Sequence, residues 1–334
     1  MNTYLKNFNA KQFLIDNSAF VTLIILIIIA TILQGSTFFS VSNFINILFN
    51  NAIIGIIALG MTLIIISGGI DLSVGAASAA CGLIAVWVMN TASSTLGLGT
   101  FSSIALGVIA AILTGVIMGA FNGTLIARFS IPAFIVTLGA MRIFRSLSQY
   151  FFGGGGILLG AEVRVFAQFS RYRLFDTVPL PILYWFGLAV IVGLFAKYTA
   201  LGRHIYAVGS NERAANLSAV NAKRVKTLVF MISGALVAFA ALVEAARIGS
   251  MNSSTSGGFY ELEAIAAVII GGTAMSGGRG RIIGTVFGTL TLGVINNTMN
   301  LMGLPSFLVG TVQGSIVILA VLLQRSVVKK EKQF

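Results

Sequence analysis

Cysteine and histidine, the residues behind most metal and redox chemistry, are nearly missing: the chain has one cysteine, Cys81, and one histidine, His204. A single thiol inside an apolar stretch excludes a disulfide framework or thiolate cluster. A lone imidazole in a basic loop makes no metal site either, so no metal is expected. Charge is also scarce, at 9% of residues, with 9 acidic side chains against 21 basic ones. The carboxylates Asp71, Glu244, Glu261 and Glu263 are scattered over several segments, and no acid-base pair or activated nucleophile can be assembled from them. No stretch fits G-x-x-x-x-G-K-[ST]. The glycine-rich run Gly277-Gly278-Arg279-Gly280-Arg281 lacks the lysine and hydroxyl in that order, so the chain is not expected to hydrolyse ATP itself. Gly153 to Gly156 has no strand or lysine beside it and reads as a flexible loop.

What is abundant is apolar surface. Hydrophobic residues make up 57% of the 334 residues, and the mean hydropathy is +0.98, beyond what a water-soluble domain can bury. Crossing a bilayer core takes about 20 apolar helical residues, and ten such stretches are present. They run over 19–35, 45–67, 74–90, 101–126, 131–152, 180–196, 227–244, 262–275, 282–299 and 307–324. The expected architecture is an all-α integral membrane fold of about ten transmembrane helices. It forms one domain, 1–334, with a first half 1–196, a connection 197–226 and a second half 227–334. The first stretch, preceded by Lys6 and Lys11 and followed by no small-residue cleavage pattern, reads as a retained anchor.

Ten crossings put both termini on one side, and basic loops favour the cytoplasm. That side would receive Lys6, Lys11, Arg128, Lys197, Arg203, Arg213, Lys223, Arg224, Lys226, Arg279, Arg281, Arg325, Lys329, Lys330 and Lys332. Arg164, Arg171, Arg173 and Arg247 fall opposite, with Arg142 and Arg145 inside the fifth stretch. The net charge of +12 thus sits in short loops beside lipid rather than on a continuous face. Nucleic acid is not an expected partner; membrane lipid is.

Two faint internal matches relate opposite sides of the membrane. Ile70-Asp71-Leu72 with Gly82 pairs with Tyr260-Glu261-Leu262 with Gly272, and Pro132-Ala133-Phe134 pairs with Pro305-Ser306-Phe307. They suggest an inverted repeat of helices two to five and seven to ten, an arrangement recurrent among transporters. Ser67-Gly68-Gly69 and Ser276-Gly277-Gly278 also match, both on the cytoplasmic side, and beside the inverted repeat this match is either coincidence or shared loop chemistry.

Within this frame several residues stand out. Asp71, flanked by Ser67 and Ser73 and by helix-breaking glycines, is a carboxylate between two apolar helices. It is either a cap for the third helix or part of gating or a subunit contact. Asn122, Asn296 and Asn297 put amides in apolar helices and are further pathway candidates. Arg145 and Gln149 stand at pairing distance on one helix. Gly115, Gly119 and Gly123, and Gly284 and Gly288, recur at four-residue spacing and suit close helix packing. In the 197–226 connection, Asn211-Glu212-Arg213-Ala214-Ala215-Asn216-Leu217-Ser218-Ala219-Val220 reads as a short helix. Ser210 or Asn211 would cap it, with Ala214, Leu217 and Val220 at helical spacing. That surface suits docking on a partner more than resting on lipid.

Taken together, these segments resemble the permease subunits of bacterial ABC importers for monosaccharides, the ribose-transporting members most closely. The resemblance covers nearly the whole chain. It rests on Ala58-Leu59-Gly60-Met61-Thr62 leading into Ser67 to Gly75, on Leu201 to Asn211, on Tyr260 to Val268 with Gly271-Gly272-Thr273, and on Ser276 to Arg281. It implies a type II ABC importer-like fold and a homodimer of permease chains. It further implies a separate ATP-binding subunit that uses ATP and Mg, and an extracytoplasmic sugar-binding protein. Glu212 to Val220 would then be the coupling helix. The solute would be ribose or a related sugar, with nucleosides, inositol, galactose and signalling sugars left open. An ion-coupled secondary carrier is the rival outside the family.

Overall fold

The computed structural model describes residues 17–305 and scattered positions from 308 to 318. The tenth expected stretch, 307–324, lies mostly outside the described residues, as do Lys6, Lys11 and the basic residues from Arg325 onward.

The chain is a bundle of long apolar helices. They are α1 (Ser18–Phe38), α2 (Val41–Ile66), α3 (Val74–Ser94), α4 (Thr100–Phe129), α5 (Ala133–Phe151), α6 (Leu180–Tyr198), α7 (Ala200–Ser210), α8 (Glu212–Leu217), α9 (Ala222–Ile248), α10 (Tyr260–Ile270) and α11 (Ile282–Leu301). Among the described residues, 7 helices are long and apolar enough to cross a membrane: α1 to α4, α6, α9 and α11. At 1.5 Å per residue the longest, α4, extends about 45 Å. Helix α5 has 19 residues but carries Arg142 and Arg145 and packs on α3 and α4 along one side only.

The expected eighth crossing differs most. In place of a span over 262–275 there is an 11-residue helix, α10, about 16 Å long and half a bilayer. Its C-terminus is set by Gly271 and by Gly272, whose φ of +83° ends the helix. The rest of that passage is non-helical: strand β2 (Ser250–Asn252) and the irregular segment 253–259. Strand β2 pairs antiparallel with β1 (Gly156–Leu158).

Two small-residue seams hold the centre. Gly115, Gly119 and Gly123 of α4 face the backbone of Gly234, Phe230 and Thr227 of α9 so closely that a Cβ at any of the three would collide. These pairs run in opposite order, so α4 and α9 are antiparallel and the end of α4 shares a level with the start of α9. On α11, Gly284 and Gly288 lie against Gly271 and Ala267. Without a hydrophobic drive between helices in lipid, such close approach is what dispersion forces need. Trp185 of α6, fully buried, fills the space over Gly55 of α2.

One end of the bundle gathers α7, α8 and the ends of α2, α4 and α6, and with them Arg128, Lys197, Arg203, Arg213, Lys223, Arg224 and Lys226. The start of α11 brings Arg281 to the same place. We call it the basic end. The other end carries the β1–β2 ladder, the helical turns of 161–171 and a hairpin pairing Arg173–Leu174 with Val178–Pro179.

Candidate functional site

The two interrupted passages meet inside the bundle. From the basic end, α2 stops at Ile66 and Gly68 turns the chain with φ +86°. The chain then runs without regular secondary structure from Gly69 to Ser73, bending at Leu72, before α3 begins. Cys81 of α3 clusters with Ala238 and Ala241 of α9. Counting back, α3 starts some ten residues deeper than α9, about 15 Å. Asp71 therefore lies within the bundle and is buried. From the opposite end, segment 253–259 descends to α10, and its Gly257 abuts Gly75 backbone to backbone, with the Glu261 carboxylate beside it. A β-carbon fits at neither glycine, so the crossing of the two breaks requires both.

Asp71 is not a cap for α3. The cap position is Ser73, which makes no side-chain cap bond. Instead Asp71 Oδ1 accepts from Ser73 N at 2.8 Å and Ser73 Oγ at 2.6 Å, an Asx turn that closes the break before the helix starts. Asn122 Nδ2 donates to Ser73 Oγ at 2.8 Å, tying α4 to the same turn. Ser67 Oγ donates back to Ile64 O at 2.7 Å and sits at the head of the break. Asp71, Ser73 and Asn122 are thus one cluster, with Ser67 just above.

Asn296 and Asn297 are elsewhere, near the end of α11 that is opposite to the basic end. Asn297 exchanges two hydrogen bonds with Asn43 of α2, at 3.0 and 2.8 Å, and Asn43 also donates to Phe38 O at 3.0 Å. This is an amide staple between helices.

At the basic end, three backbones converge. Gly278 N donates to Ile66 O at 2.9 Å. A Cβ on Gly209 would collide with that same carbonyl, Gly277 packs on Gly68 and the Gly209 carbonyl, and Gly278 packs on Ser210. The paired Ser-Gly-Gly sequences are therefore in direct contact, with the end of α7 wedged between them. Helix α8 follows at once. Asn211 caps it by accepting from Ala214 N at 3.0 Å; Ser210, the other expected cap, belongs to α7. The buried face of α8 is Ala215, whereas Ala214 and Leu217, with Glu212, Arg213, Asn216 and Ser218, are exposed and Val220 is half-buried. Leu217 is 89% exposed, an apolar side chain held out on a capped helix. Glu212 pairs with Lys226 of α9 at 2.6 Å, and beside them a cleft of about 310 Å³ runs to Ser67, Gly68 and Gly69.

The opposite end is clamped by residues whose partners no local spacing shows. Arg145 does not pair with Gln149. Its Nη1 donates to Ser253 O at 3.0 Å and Ser256 O at 2.8 Å, and Gln149 donates to Ser254 Oγ at 3.3 Å. Gly153 to Gly156 is likewise no free loop, since the Gly155 carbonyl accepts from Ser253 N at 2.9 Å and Gly156 opens β1. Asn90 of α3 donates to Leu158 O and accepts from Gly160 N, both at 2.8 Å. The signal for Arg145 was present in sequence as a guanidinium in an apolar stretch, which is costly unless it has a task.

Long membrane-crossing helices, two passages broken at glycines and a capped helix exposed at one end define a multi-pass membrane permease. The comparisons agree. Residues 43–323 match the family described as branched-chain amino acid transport system / permease component, and the chain belongs to that family. It is 36% identical to the ribose import permease protein RbsC of Haemophilus influenzae over 96% of this chain and 97% of that one. With RbsC of Bacillus subtilis it shares 41% identity over 92% and 91%. With the xylose transport system permease protein XylH of Haemophilus influenzae the figure is 30% over 92% and 96%. No solved structure matches the chain.

Proposed function

We propose that the chain is the membrane-spanning permease subunit of an ATP-driven importer whose solute is a monosaccharide, ribose or a close relative. The observation that carries this is identity of 36 to 41% to ribose import permeases across nearly the whole length. The protein resides in the bacterial inner membrane with its basic end facing the cytoplasm, in keeping with the positive-inside bias. An ATP-binding subunit docks on α8 through Leu217 and the polar residues around it, and hydrolysis takes place in that separate chain. A displacement of α8 reaches α2 and the turn before α11 through the Gly209, Gly68 and Gly277 junction. From there it reaches the Asp71 turn.

A second copy faces α5. The exposed side of that helix mixes Phe134, Leu138, Ile143 and Leu147 with Arg142 and Gln149, a mixture that suits a two-fold, partly hydrated interface better than lipid. The sugar-binding protein docks at the opposite end. The test is a mild-detergent pull-down of the tagged chain from its native membrane. Recovery of a Walker-motif ATPase and a sugar-binding protein is the expected result, and recovery of the chain alone would remove the importer reading.

A further inference from the structure

A cleft of about 760 Å³ opens between α6, α7 and the first turn of α11. Lys197, Arg203 and Arg281 line it, with Tyr206 between them, and no acidic side chain does. None of the three cations forms a salt bridge among the described residues. Two of them, and the tyrosine, make local contacts. Lys197 Nζ lies 5.1 Å from the centre of the Tyr198 ring, Arg203 Nη1 donates to Tyr198 O at 3.3 Å, and Tyr206 Oη donates to Gly280 O at 3.0 Å.

The rest of the lining is apolar, from Gly193 and Ala196 of α6 and Ile282 and Ile283 of α11. Gly193 has no side chain to fill the groove, and Val190, Ile191, Leu194 and Ile283 are exposed around it. An apolar groove along α6 and α11 therefore adjoins three exposed positive charges at the basic end of those helices. Cations without acidic partners beside an apolar groove suit an anion with an apolar tail, and guanidinium groups match the geometry of a phosphodiester.

We infer that this cleft is a binding site for one anionic glycerophospholipid, its phosphate held by Lys197, Arg203 and Arg281 and an acyl chain lying along Gly193. The lipid would bridge α7, which leads into the exposed helix α8, to the start of α11. The inference rests on membrane residence and not on the identity of the solute.

The test is native mass spectrometry of the full-length chain titrated with phosphatidylglycerol or phosphatidylcholine of the same acyl composition. The wild-type protein is expected to retain the anionic lipid preferentially. Combined Lys197→Gln, Arg203→Gln and Arg281→Gln should lower that retention at least about tenfold. Combined Arg128→Gln, Arg213→Gln and Arg224→Gln, which removes equal charge from the same end, should leave it unchanged. Gly193→Leu fills the acyl groove without touching a charge and should also exclude the lipid, so a poorly folding triple variant would not shelter the idea. Equal loss in both charge variants, or retention in the cleft triple and in Gly193→Leu, overturns the proposal. Displacement by millimolar glycerol phosphate would overturn it too, by showing a soluble-anion site.

Discussion

One nitrogen of Arg145 serves two carbonyls, Ser253 at 3.0 Å and Ser256 at 2.8 Å, so the guanidinium of α5 fixes the entry of the half-length helix α10. Hydrogen bonds from a charged donor contribute about 1.5 to 3 kcal/mol each when water is excluded. Arg145→Gln is therefore expected to insert normally but to lower uptake at least about tenfold and to reduce the melting temperature of the purified protein. Uptake and thermal stability at wild-type values would show that segment 253–259 holds itself.

The junction at Gly209 is sensitive to a single methyl group. Any β-carbon there meets Ile66 O, whereas Gly187 of α6 has open space around it. Overpacking of this kind costs about 1 to 3 kcal/mol. Gly209→Ala should uncouple or abolish uptake while Gly187→Ala leaves it intact. The pair is read out as uptake per inserted protein, and equal behaviour would dissolve the junction's role.

Asp71 acts in this structure as an acceptor for Ser73. Asparagine keeps that acceptor, so Asp71→Asn should assemble and transport to within about twofold of wild type, and Asp71→Ala, which loses the turn, should cost about 1 to 2 kcal/mol. Flux that collapses in Asp71→Asn alone would assign the task to the charge itself.

Leu217 and Glu212 define the exposed face of α8. Glu212→Lys with Leu217→Asp reverses one feature and removes the other, and it is expected to abolish uptake and ATPase binding with membrane insertion unchanged. Co-purification of the ATP-binding subunit checks this directly, and undiminished recovery would move the docking surface elsewhere.

The Asn43–Asn297 staple should matter for stability and little for flux. Interhelical hydrogen bonds in membrane proteins average about 0.6 kcal/mol in double-mutant cycles. Asn297→Ala is expected to cost that order of stability and to leave the solute preference unchanged.

The long helices were legible in the sequence because one signal, an apolar run of bilayer length, suffices for each. The short helix α8 was legible too, with its cap narrowed to Ser210 or Asn211, since capping is a local relation. What stayed hidden depends on partners distant in the chain. Gln149, four residues on, is a plausible local partner for Arg145, yet the carbonyls that take its hydrogen bonds lie more than a hundred residues away. Gly153 to Gly155 form the loop that their composition suggests, and Gly156 opens a strand only because β2 lies beside it. The apolar run after Tyr260 looks long enough to cross, and Gly271 and Gly272 cut it short. Asn122 was visible as an amide in an apolar helix; that it reaches Ser73 follows from the packing of α4 on α3.

The most direct test of the central claim is solute uptake by proteoliposomes holding the chain with its co-purified ATP-binding subunit, supplied outside with the sugar-binding protein and labelled ribose. Accumulation is expected only when ATP and Mg are enclosed with the nucleotide-binding face, and none with Glu212→Lys and Leu217→Asp. Ribose flux driven by an ion gradient through the chain alone, indifferent to ATP, would contradict it.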